Sequence, residues 1–246
     1  AGKTVWEANP LVLQELEARG RLLKQERIQH SYPHCWRHKT PIIFRATTQW
    51  FIGMENRATR PGAREGEQEE APTLRWIAER AVDETQFFPS WGRARLEGMM
   101  KTRPDWCVSR QRNWGVPIPF FLHKETGQPH PRTAELIEQV ALRVEQAGIE
   151  AWFSLDPAEL LGAEAPQYVK MKDTLDAWFD SGSMPIAQWH YPFENEELWK
   201  KRFPADFICE AIDQTRGWFY SLLAISALLT GHTSYKNVVC LGHILD

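Results

Sequence analysis

The chain has 246 residues, a length that fits one large domain or two ordinary ones. Hydrophobic residues make up 43% and charged residues 25%, which excludes a disordered chain and a collagen-like repeat. The formal charge of -3 excludes a globally basic nucleic-acid binder, although a local basic groove is compatible with it.

The N-terminal residues show no basic region followed by an apolar one, so no signal peptide is expected there. The longest apolar run, residues 218–230, is shorter than the roughly 20 residues of a membrane span. The four cysteines have no paired spacing, which favours a reducing, cytoplasmic location over a disulfide scaffold. The sequence begins without Met and stops without a terminating tail, so we expect both ends to be internal to a longer protein.

The first elements are short and are separated by a charged stretch. Asn9 as N-cap and Pro10 at the first helical position predict a helix that ends at Gly20. Apolar runs predict strands over 42–44 and 49–54. Residues 57–72, rich in charge, Gly and Pro, indicate a solvated loop or insertion, and helices are predicted over 76–82 and 92–101.

The second half alternates strands and helices. Residues 105–121 are strand-like, and residues 133–148 form the clearest helix, with Thr133 as cap and Gly148 at its end. Short strands are predicted over 172–179 and 206–208, followed by a helix over 218–230 and a strand over 235–241. The last three elements predict a βαβ unit with parallel strands and a right-handed connection.

Cys35 and His38 have the C-x-x-H spacing of half a zinc site. A structural zinc ion needs four ligands, and no second pair with this spacing exists in the chain. The favoured interpretation is therefore a turn with a buried Cys and a polar His, and zinc is not expected in this segment.

Two arginines alternate along the predicted strand over 105–121. Arg110 and Arg112 would point to one face, beside Trp106 and Trp114, which suits phosphate contact with base or sugar packing. The alternative is an Arg pair that bridges acidic partners on a surface.

Two further segments suit a small ligand. Trp178 lies near the end of the predicted strand over 172–179, which would place it at the carboxyl edge of a sheet, where α/β proteins bind ligands. From Glu210 to Trp218 a strand turns into a helix, whose N-terminus would attract an anion. Gln214 and Trp218 are four residues apart, so both would lie on one helical face. The alternative is a capped helix with a core Trp.

Four segments in this order resemble the class I isoleucyl-tRNA synthetases: PHCWRHKTPIIFRAT, RPDWCVSRQRNWGVPIP, DTLDAWFDSGS and EAIDQTRGWF. The resemblance implies an α/β fold: the second half of a split Rossmann-type catalytic domain with parallel strands, plus the tail of the editing insertion and a mixed α+β connecting segment. It implies that the chain is an internal fragment, because the HIGH and KMSKS motifs of the family are both absent. The expected parts are the end of the editing insertion with its return segment (1–45), the connecting segment with the charged loop 57–72 (46–104), a catalytic-domain strand region (105–121), a helical insertion (122–170) and the second Rossmann half (171–246).

The resemblance also implies a substrate site but no catalytic residue and no metal ligand within this segment. Trp178, Gln214 and Trp218 match family positions around isoleucine. Glu210 matches a position that contacts the aminoacyl-adenylate through ribose hydroxyls, and Asp213 is a helix-start acid that helps to place the ligand. The implied substrates of the full enzyme are isoleucine, ATP with Mg²⁺ and isoleucine tRNA, with no membrane contact and a monomeric state.

The expected function is thus part of an isoleucine–tRNA ligase whose fragment has no activity alone. Ala211 departs from the family, which usually has Gly there, and its methyl group could crowd the adenylate. The alternative function is a stand-alone RNA-binding module that uses Arg110, Arg112 and the tryptophans. That module would bind tRNA with an affinity that falls steeply with salt.

Overall fold

The computed structural model describes residues 2–35, 37–57 and 71–243, so most of the predicted charged loop over 57–72 lies outside the described residues. The chain divides into two compact units, Ala1–Thr47 and Thr48–Asp246. Across the described ranges, no helix is long and apolar enough to cross a membrane.

Helices and short strands alternate along the described residues. The helices, in chain order, are α1 (Val5–Ala18), α2 (Leu74–Asp83), α3 (Trp91–Thr102), α4 (Thr133–Ala147), α5 (Glu150–Ser154), α6 (Ala158–Leu161), α7 (Ala177–Gly182), α8 (Met184–Ala187), α9 (Glu196–Arg202) and α10 (Trp218–Thr230). The strands are β1 (Phe51–Ile52), β2 (Gln86–Phe88), β3 (Trp106–Cys107), β4 (Ser109–Arg110), β5 (Phe121–His123), β6 (Tyr168–Lys170), β7 (Thr174–Leu175), β8 (Ile208–Ala211) and β9 (Asn237–Leu241). Two 3₁₀ helices cover Gly162–Gln167 and Ile212–Arg216.

The first unit holds α1, which begins earlier than the sequence predicts. Thr4 caps it: the Thr4 hydroxyl accepts a hydrogen bond from the Glu7 N–H at 3.3 Å, and the Glu7 carboxylate accepts one from the Thr4 N–H at 2.8 Å. Such a capping box satisfies two donors at once, so the predicted start at Asn9 is wrong and Pro10 lies inside the helix. The end near Gly20 is confirmed, where φ is +60°.

The predicted strand over 42–44 is also wrong. Only one isolated bridge forms in this segment among the described residues, between His34 and Pro41, and Pro41 has no N–H with which to extend a ladder. Phe44 is 85% exposed. The apolar run therefore gains neither strand pairing nor burial within its own unit.

The second unit is organised around a parallel sheet with the strand order β2-β9-β8. The βαβ prediction is confirmed: β8 and β9 pair in parallel, with Ile208 opposite Val238 and Ala211 opposite Leu241. β8 begins two residues later than predicted, and β2, which pairs in parallel with β9, was not predicted at all. The α/β class with a parallel sheet follows from this pairing.

Helix α10 has the predicted bounds and is buried from Phe219 to Ala227. A helix that is apolar all round belongs inside a protein, and α10 packs against both α2 and α7. Gly182 makes the α7 contact close, because a Cβ at this position would lie 2.7 Å from the carbonyl oxygen of Ser221. The contact between α7 and α10 therefore leaves no room for a side chain at 182.

The predicted strand over 105–121 is broken into short pieces. β3 pairs with β1 and β4 pairs with β7, both antiparallel, and β5 belongs to a separate ladder with β6. Gly115, with φ of +141°, lies in the interruption, where the backbone leaves the extended range open to other residues. The interruption follows Arg110, so Arg112 lies outside the strand.

A second hydrophobic core lies within residues 121–170, which we call the helical region. Its buried side chains come from β5, α4 and the segments after α4: Phe121, Leu136, Val140, Trp152, Leu155 and Leu161. Thr133 is not the cap of α4; its hydroxyl donates to the carbonyl oxygen of His130 at 2.5 Å, and Arg132 occupies the cap position. The predicted end at Gly148, with φ of +75°, is confirmed.

Candidate functional site

Trp178 lies on a helix instead of on the predicted strand over 172–179. Strand β7 stops at Leu175, and the Asp176 carboxylate accepts a hydrogen bond from the Trp178 N–H at 3.4 Å, which caps α7. The alternation of apolar residues did not reveal this cap. The indole of Trp178 is 45% exposed and is therefore available to a ligand.

Gln214 lies in the 3₁₀ helix Ile212–Arg216, so the predicted shared helical face with Trp218 is wrong. Instead, the Gln214 amide oxygen accepts a hydrogen bond from the Trp218 N–H at 2.8 Å. One of the unpaired N–H groups at the start of α10, where we expected an anion, is thus bonded to a side chain. The Gln214 amide nitrogen donates to the Asp213 carboxylate at 3.3 Å.

These elements surround a cavity of about 270 Å³, which we call the indole slot. Its lining residues are Trp178, Ser181, Glu210, Gln214 and Trp218. Four of the five predicted site residues therefore meet at one place. Asp213, the fifth, does not line the slot but holds the amide of Gln214, which does. Ser181 was missed, because nothing in the sequence distinguishes it from the other small residues of its segment.

Gly217 lies against two side chains of the indole slot, those of Gln214 and Trp178, without lining the slot itself, and was also missed. A Cβ at this position would collide with the Gln214 amide oxygen and would come within 3.2 Å of the Trp178 ring. A side chain at 217 would therefore force the Gln214 amide, and to a smaller extent the Trp178 ring, to shift. A Gly directly before an aromatic helix start was the only signal for this in the sequence.

Trp178 also borders a second cavity, of about 300 Å³. Its charged lining is mostly basic: Arg103, Arg110 and Arg216 face Asp105 and Asp176. The Arg103 guanidinium lies over the Tyr220 ring at 4.2 Å. One indole therefore separates a small, largely uncharged slot from a basic cavity.

The structure separates the two arginines that the sequence placed on one face. Arg110 forms an ion pair with Asp176 at 2.9 Å and donates to the carbonyl oxygens of Cys107 and Ser109 at 2.9 and 2.8 Å. Trp106 is buried, whereas Trp114 is 94% exposed. Arg110 thus matches the alternative interpretation, an Arg that bridges to an acidic partner.

Cys35 and His38 do come together, with the Cys35 sulfur 3.4 Å from His38 Nδ1. Within the part of the chain that the structure describes, no group of three or more His, Cys, Asp or Glu side chains could hold a metal ion. Two neighbouring ligands are half of what structural zinc requires.

One carboxyl group on α7 has a shifted pKa. Burial raises the pKa of Asp180, and the negative charge of Asp176 raises it further. Both causes disfavour the ionised form. The negative charge of Asp176, at the N-cap of α7, therefore disfavours the ionised form of Asp180 on the same helix.

Comparison with known proteins identifies the family to which this chain belongs. Residues 7–246 match the family model described as tRNA synthetases class I (I, L, M and V), and the chain belongs to this family. The resemblance carried by the four sequence segments is thereby confirmed.

Several curated relatives of this chain are isoleucine–tRNA ligases. The ligase of Dechloromonas aromatica (strain RCB) is 72% identical over 246 residues, which are 100% of this chain and 25% of that protein. The ligases of Chromobacterium violaceum and Azotobacter vinelandii are 56% and 54% identical, with the same coverage. The chain thus spans about a quarter of the length of the curated relatives that it matches.

A solved structure gives a weaker match. It is described as a ternary complex of Agrobacterium radiobacter K84 agnB2 LeuRS, tRNA and LeuAMS, and it is 23% identical, with a TM-score of 0.40. The match covers 58% of this chain and 20% of that chain. Similarity at this level does not locate the site.

Proposed function

We propose that this chain is part of an isoleucine–tRNA ligase, which activates isoleucine with ATP and transfers it to isoleucine tRNA. The observation that carries the proposal is the indole slot, because Trp178, Gln214 and Trp218 line one small cavity. The 72% identity to a named isoleucine–tRNA ligase supports the same substrate.

The slot suits a branched aliphatic side chain for a physical reason. Two indoles provide apolar walls, and burying apolar surface contributes about 25 cal/mol per Å². The Gln214 amide and the Ser181 hydroxyl offer polar contact to the amino acid backbone. A cavity of about 270 Å³ matches a ligand smaller than the drug-sized molecules that fill larger pockets.

Glu210 would accept hydrogen bonds from the ribose hydroxyls of the adenylate. It lies in the carboxyl-terminal half of β8 and lines the slot, at the edge where ligands of α/β sheets bind. Asp213 would place the ligand indirectly, because its carboxylate accepts from the amide of Gln214 at 3.3 Å. Ala211 ends β8 beside Glu210 and is not among the residues that line the slot, so the crowding of the adenylate by its methyl group stays a prediction.

The activation step needs no nucleophile from this chain. An isoleucine carboxylate oxygen attacks the α-phosphorus of ATP, and the bond from that phosphorus to the pyrophosphate oxygen breaks. Mg²⁺ enters with the ATP phosphates as part of the substrate. The segment contributes positioning, which can supply a large share of the rate acceleration. We assign it no catalytic residue and no metal ligand.

We infer the following organisation from the resemblance and the parallel sheet. Residues 171–246 form the second half of a split Rossmann-type domain, and residues 1–45 form the tail of the editing insertion. Residues 46–104 are the connecting segment, and residues 105–121 are a strand region of the catalytic domain. Residues 122–170 are a helical insertion. We also propose a monomeric, cytoplasmic full-length enzyme.

One observation supports the alternative function, a stand-alone RNA-binding module. Arg112 and the strongly exposed Trp114 lie in one segment and could contact a phosphate and a base. The ion pair between Arg110 and Asp176 removes one of the expected contacts. This module would show tRNA affinity that falls steeply with salt, as phosphate contacts require.

Isoleucine-dependent ATP–pyrophosphate exchange tests the proposal in two samples. The complete protein that contains this sequence should exchange with isoleucine in preference to valine and leucine. The 246-residue chain alone should give no signal above background, because the HIGH and KMSKS motifs are absent from it. Preference for another amino acid would contradict the substrate, and activity of the chain alone would contradict the fragment's inactivity.

A further inference from the structure

Asp176 is a buried carboxylate that joins two strands to the start of α7. Its side chain is only 8% exposed. The Oδ2 atom accepts a hydrogen bond from the Trp106 indole N–H at 3.1 Å and lies 2.9 Å from a guanidinium nitrogen of Arg110. One oxygen atom thus holds partners from both β3 and β4.

The other oxygen and the backbone of Asp176 hold α7 itself. Oδ1 accepts from the Trp178 N–H at 3.4 Å, and the Asp176 N–H donates to the carbonyl oxygen of Val108 at 2.8 Å. The first turn of α7 cannot move relative to β3 and β4 without breaking a buried, charge-assisted hydrogen bond. Such bonds are about twice as strong as neutral ones.

This network sets the position of one wall of the indole slot. Trp178 is half-exposed, so packing alone constrains its ring less than it constrains a core residue. The opposite wall, Trp218, is fixed by its place at the start of the buried helix α10 and by the bond from its N–H to Gln214. The spacing of the two indoles therefore depends on the anchoring of α7.

We propose that Asp176 is a positioning residue that sets the specificity of the slot through Trp178. This inference rests on the proposed function, that is, on isoleucine as the ligand of the slot. One methylene separates isoleucine from valine and is worth about 10–200-fold in discrimination, a range that includes the value established for isoleucyl-tRNA synthetases. A small displacement of the Trp178 indole would lower this discrimination between isoleucine and valine.

The test compares Asp176→Asn with the unmodified complete protein in ATP–pyrophosphate exchange, with isoleucine and with valine as substrates. Asparagine keeps the shape and one acceptor oxygen but loses the charge that faces Arg110. We expect KM for isoleucine to rise about tenfold, with kcat changed less than about twofold, because a displaced wall weakens ground-state and transition-state binding alike. The isoleucine-to-valine ratio of kcat/KM should fall by about threefold or more.

Asp156→Asn is the matched control. The Asp156 carboxylate also accepts from a backbone N–H, that of Ala158, at 2.9 Å at the start of α6, in the helical region. It should leave both KM and the ratio unchanged. The proposal would be overturned if this control raised KM and lowered the isoleucine-to-valine ratio of kcat/KM as much as Asp176→Asn does. Any weakened helix start would then have the same effect.

A double variant separates positioning from general structural support. If Asp176 acts through Trp178, then Asp176→Asn should raise KM by less than about twofold in a Trp178→Phe background, since coupled sites are not additive. Effects that multiply would overturn the proposal. Should Asp176→Asn fail to fold, Arg110→Lys weakens the same ion pair from its more exposed partner. It should raise KM about threefold, and an unchanged KM would again count against Asp176.

The outcomes also distinguish this proposal from the proposed function. If the unmodified complete protein shows no isoleucine-dependent exchange, the function fails and the role of Asp176 fails with it. If the unmodified protein is active and Asp176→Asn keeps its KM and its isoleucine-to-valine ratio, only the positioning role fails.

Discussion

The helical region and the slot region, by which we mean the elements around the indole slot (177–182 and 210–218), both contain tryptophans beside charged side chains. The two regions use these residues for different purposes. In the helical region, the Lys170 ammonium donates to the carbonyl oxygens of Trp152, Phe153 and Leu155 at 2.5, 3.1 and 2.8 Å. It also lies 4.9 Å from the centre of the buried Trp152 ring, and burial lowers its pKa. Every one of these contacts is internal.

In the slot region, comparable side chains are left partly open. Trp178 and Trp218 line a cavity, and Glu210 and Gln214 face the same space. Side chains that stabilise a fold are surrounded by other groups of the protein. Side chains that bind a ligand keep part of their surface exposed in a cavity. The difference between the two tryptophan environments can be tested directly.

The largest contrast should come from removing one indole in each region. Trp152 is 1% exposed, so Trp152→Ala should cost about 3–5 kcal/mol of stability. Trp178→Ala should cost less than about 1 kcal/mol, because nearly half of the residue already contacts solvent. Trp178→Ala should instead lower isoleucine-dependent kcat/KM roughly 100-fold, or about 2.7 kcal/mol.

Denaturant unfolding and pyrophosphate exchange on the complete protein measure these two effects. Trp114→Ala serves as a control, since Trp114 is almost fully exposed and lines neither cavity described above. It should change neither stability nor exchange. A large stability loss in Trp178→Ala would show that Trp178 is a core residue.

The next effect concerns the polar contacts of the helical region. Lys170→Met should lower local stability by about 1–2 kcal/mol, because it leaves the partly buried carbonyl oxygens of Trp152 and Leu155 without their charged donor. Amide hydrogen exchange of the peptides that cover α5 and β6 in the complete protein would report this loss. Isoleucine activation should stay unchanged, and a parallel loss of activity would show that the two regions are coupled.

A smaller effect should follow from adding one methyl group at the slot. Gly217→Ala would push the Gln214 amide and the Trp178 ring apart, so we expect KM for isoleucine to rise about tenfold. Gly98→Ala is the matched control, because a Cβ at 98 has nothing within 4 Å. Gly98 lies inside α3, and its replacement should stabilise that helix by about 0.5–1 kcal/mol. An unchanged KM in Gly217→Ala would contradict a role for the positions of Gln214 and Trp178 in isoleucine binding.

The smallest effect is a pH dependence from Asp180. Its pKa is raised in the folded state, so the folded protein holds this proton more tightly than the unfolded chain does. Stability is therefore lost as pH rises from the ordinary carboxyl value through the raised one. Asp180→Asn should stabilise the protein relative to wild type near neutral pH, and the gain should vanish below about pH 3.9. A gain that is equal at both pH values would contradict this origin.

The sequence predicted α10 best, because its mostly apolar run between Gly217 and Gly231 is long enough to require burial. A short apolar run was not sufficient by itself, since residues 42–44 form no strand. The strands β8 and β9 were predicted from short apolar runs, and β8 begins two residues later than predicted. The errors concentrate where a side chain bonds to backbone: Thr4 sets the start of α1, and Asp176 turns the end of a strand into a helix. Such bonds depend on local geometry that periodicity does not contain.

Four residues that line the indole slot could be predicted from the sequence, but the contacts that hold them in place could not. The family resemblance pointed to Trp178, Glu210, Gln214 and Trp218, and the structure brings these four together. Two features could not be predicted. The pairing of Arg110 with Asp176 joins segments 66 residues apart in the sequence, and the crowding around Gly217 depends on the three-dimensional approach of Trp178.

The most direct test of the indole slot as the isoleucine site is a crystal structure of the complete protein with a non-hydrolysable isoleucyl-adenylate analogue. We predict that the isoleucine side chain lies between the indoles of Trp178 and Trp218, with the Gln214 amide at its backbone and Glu210 at the ribose. An isoleucine side chain bound elsewhere, with the two indoles in contact with each other, would contradict this assignment.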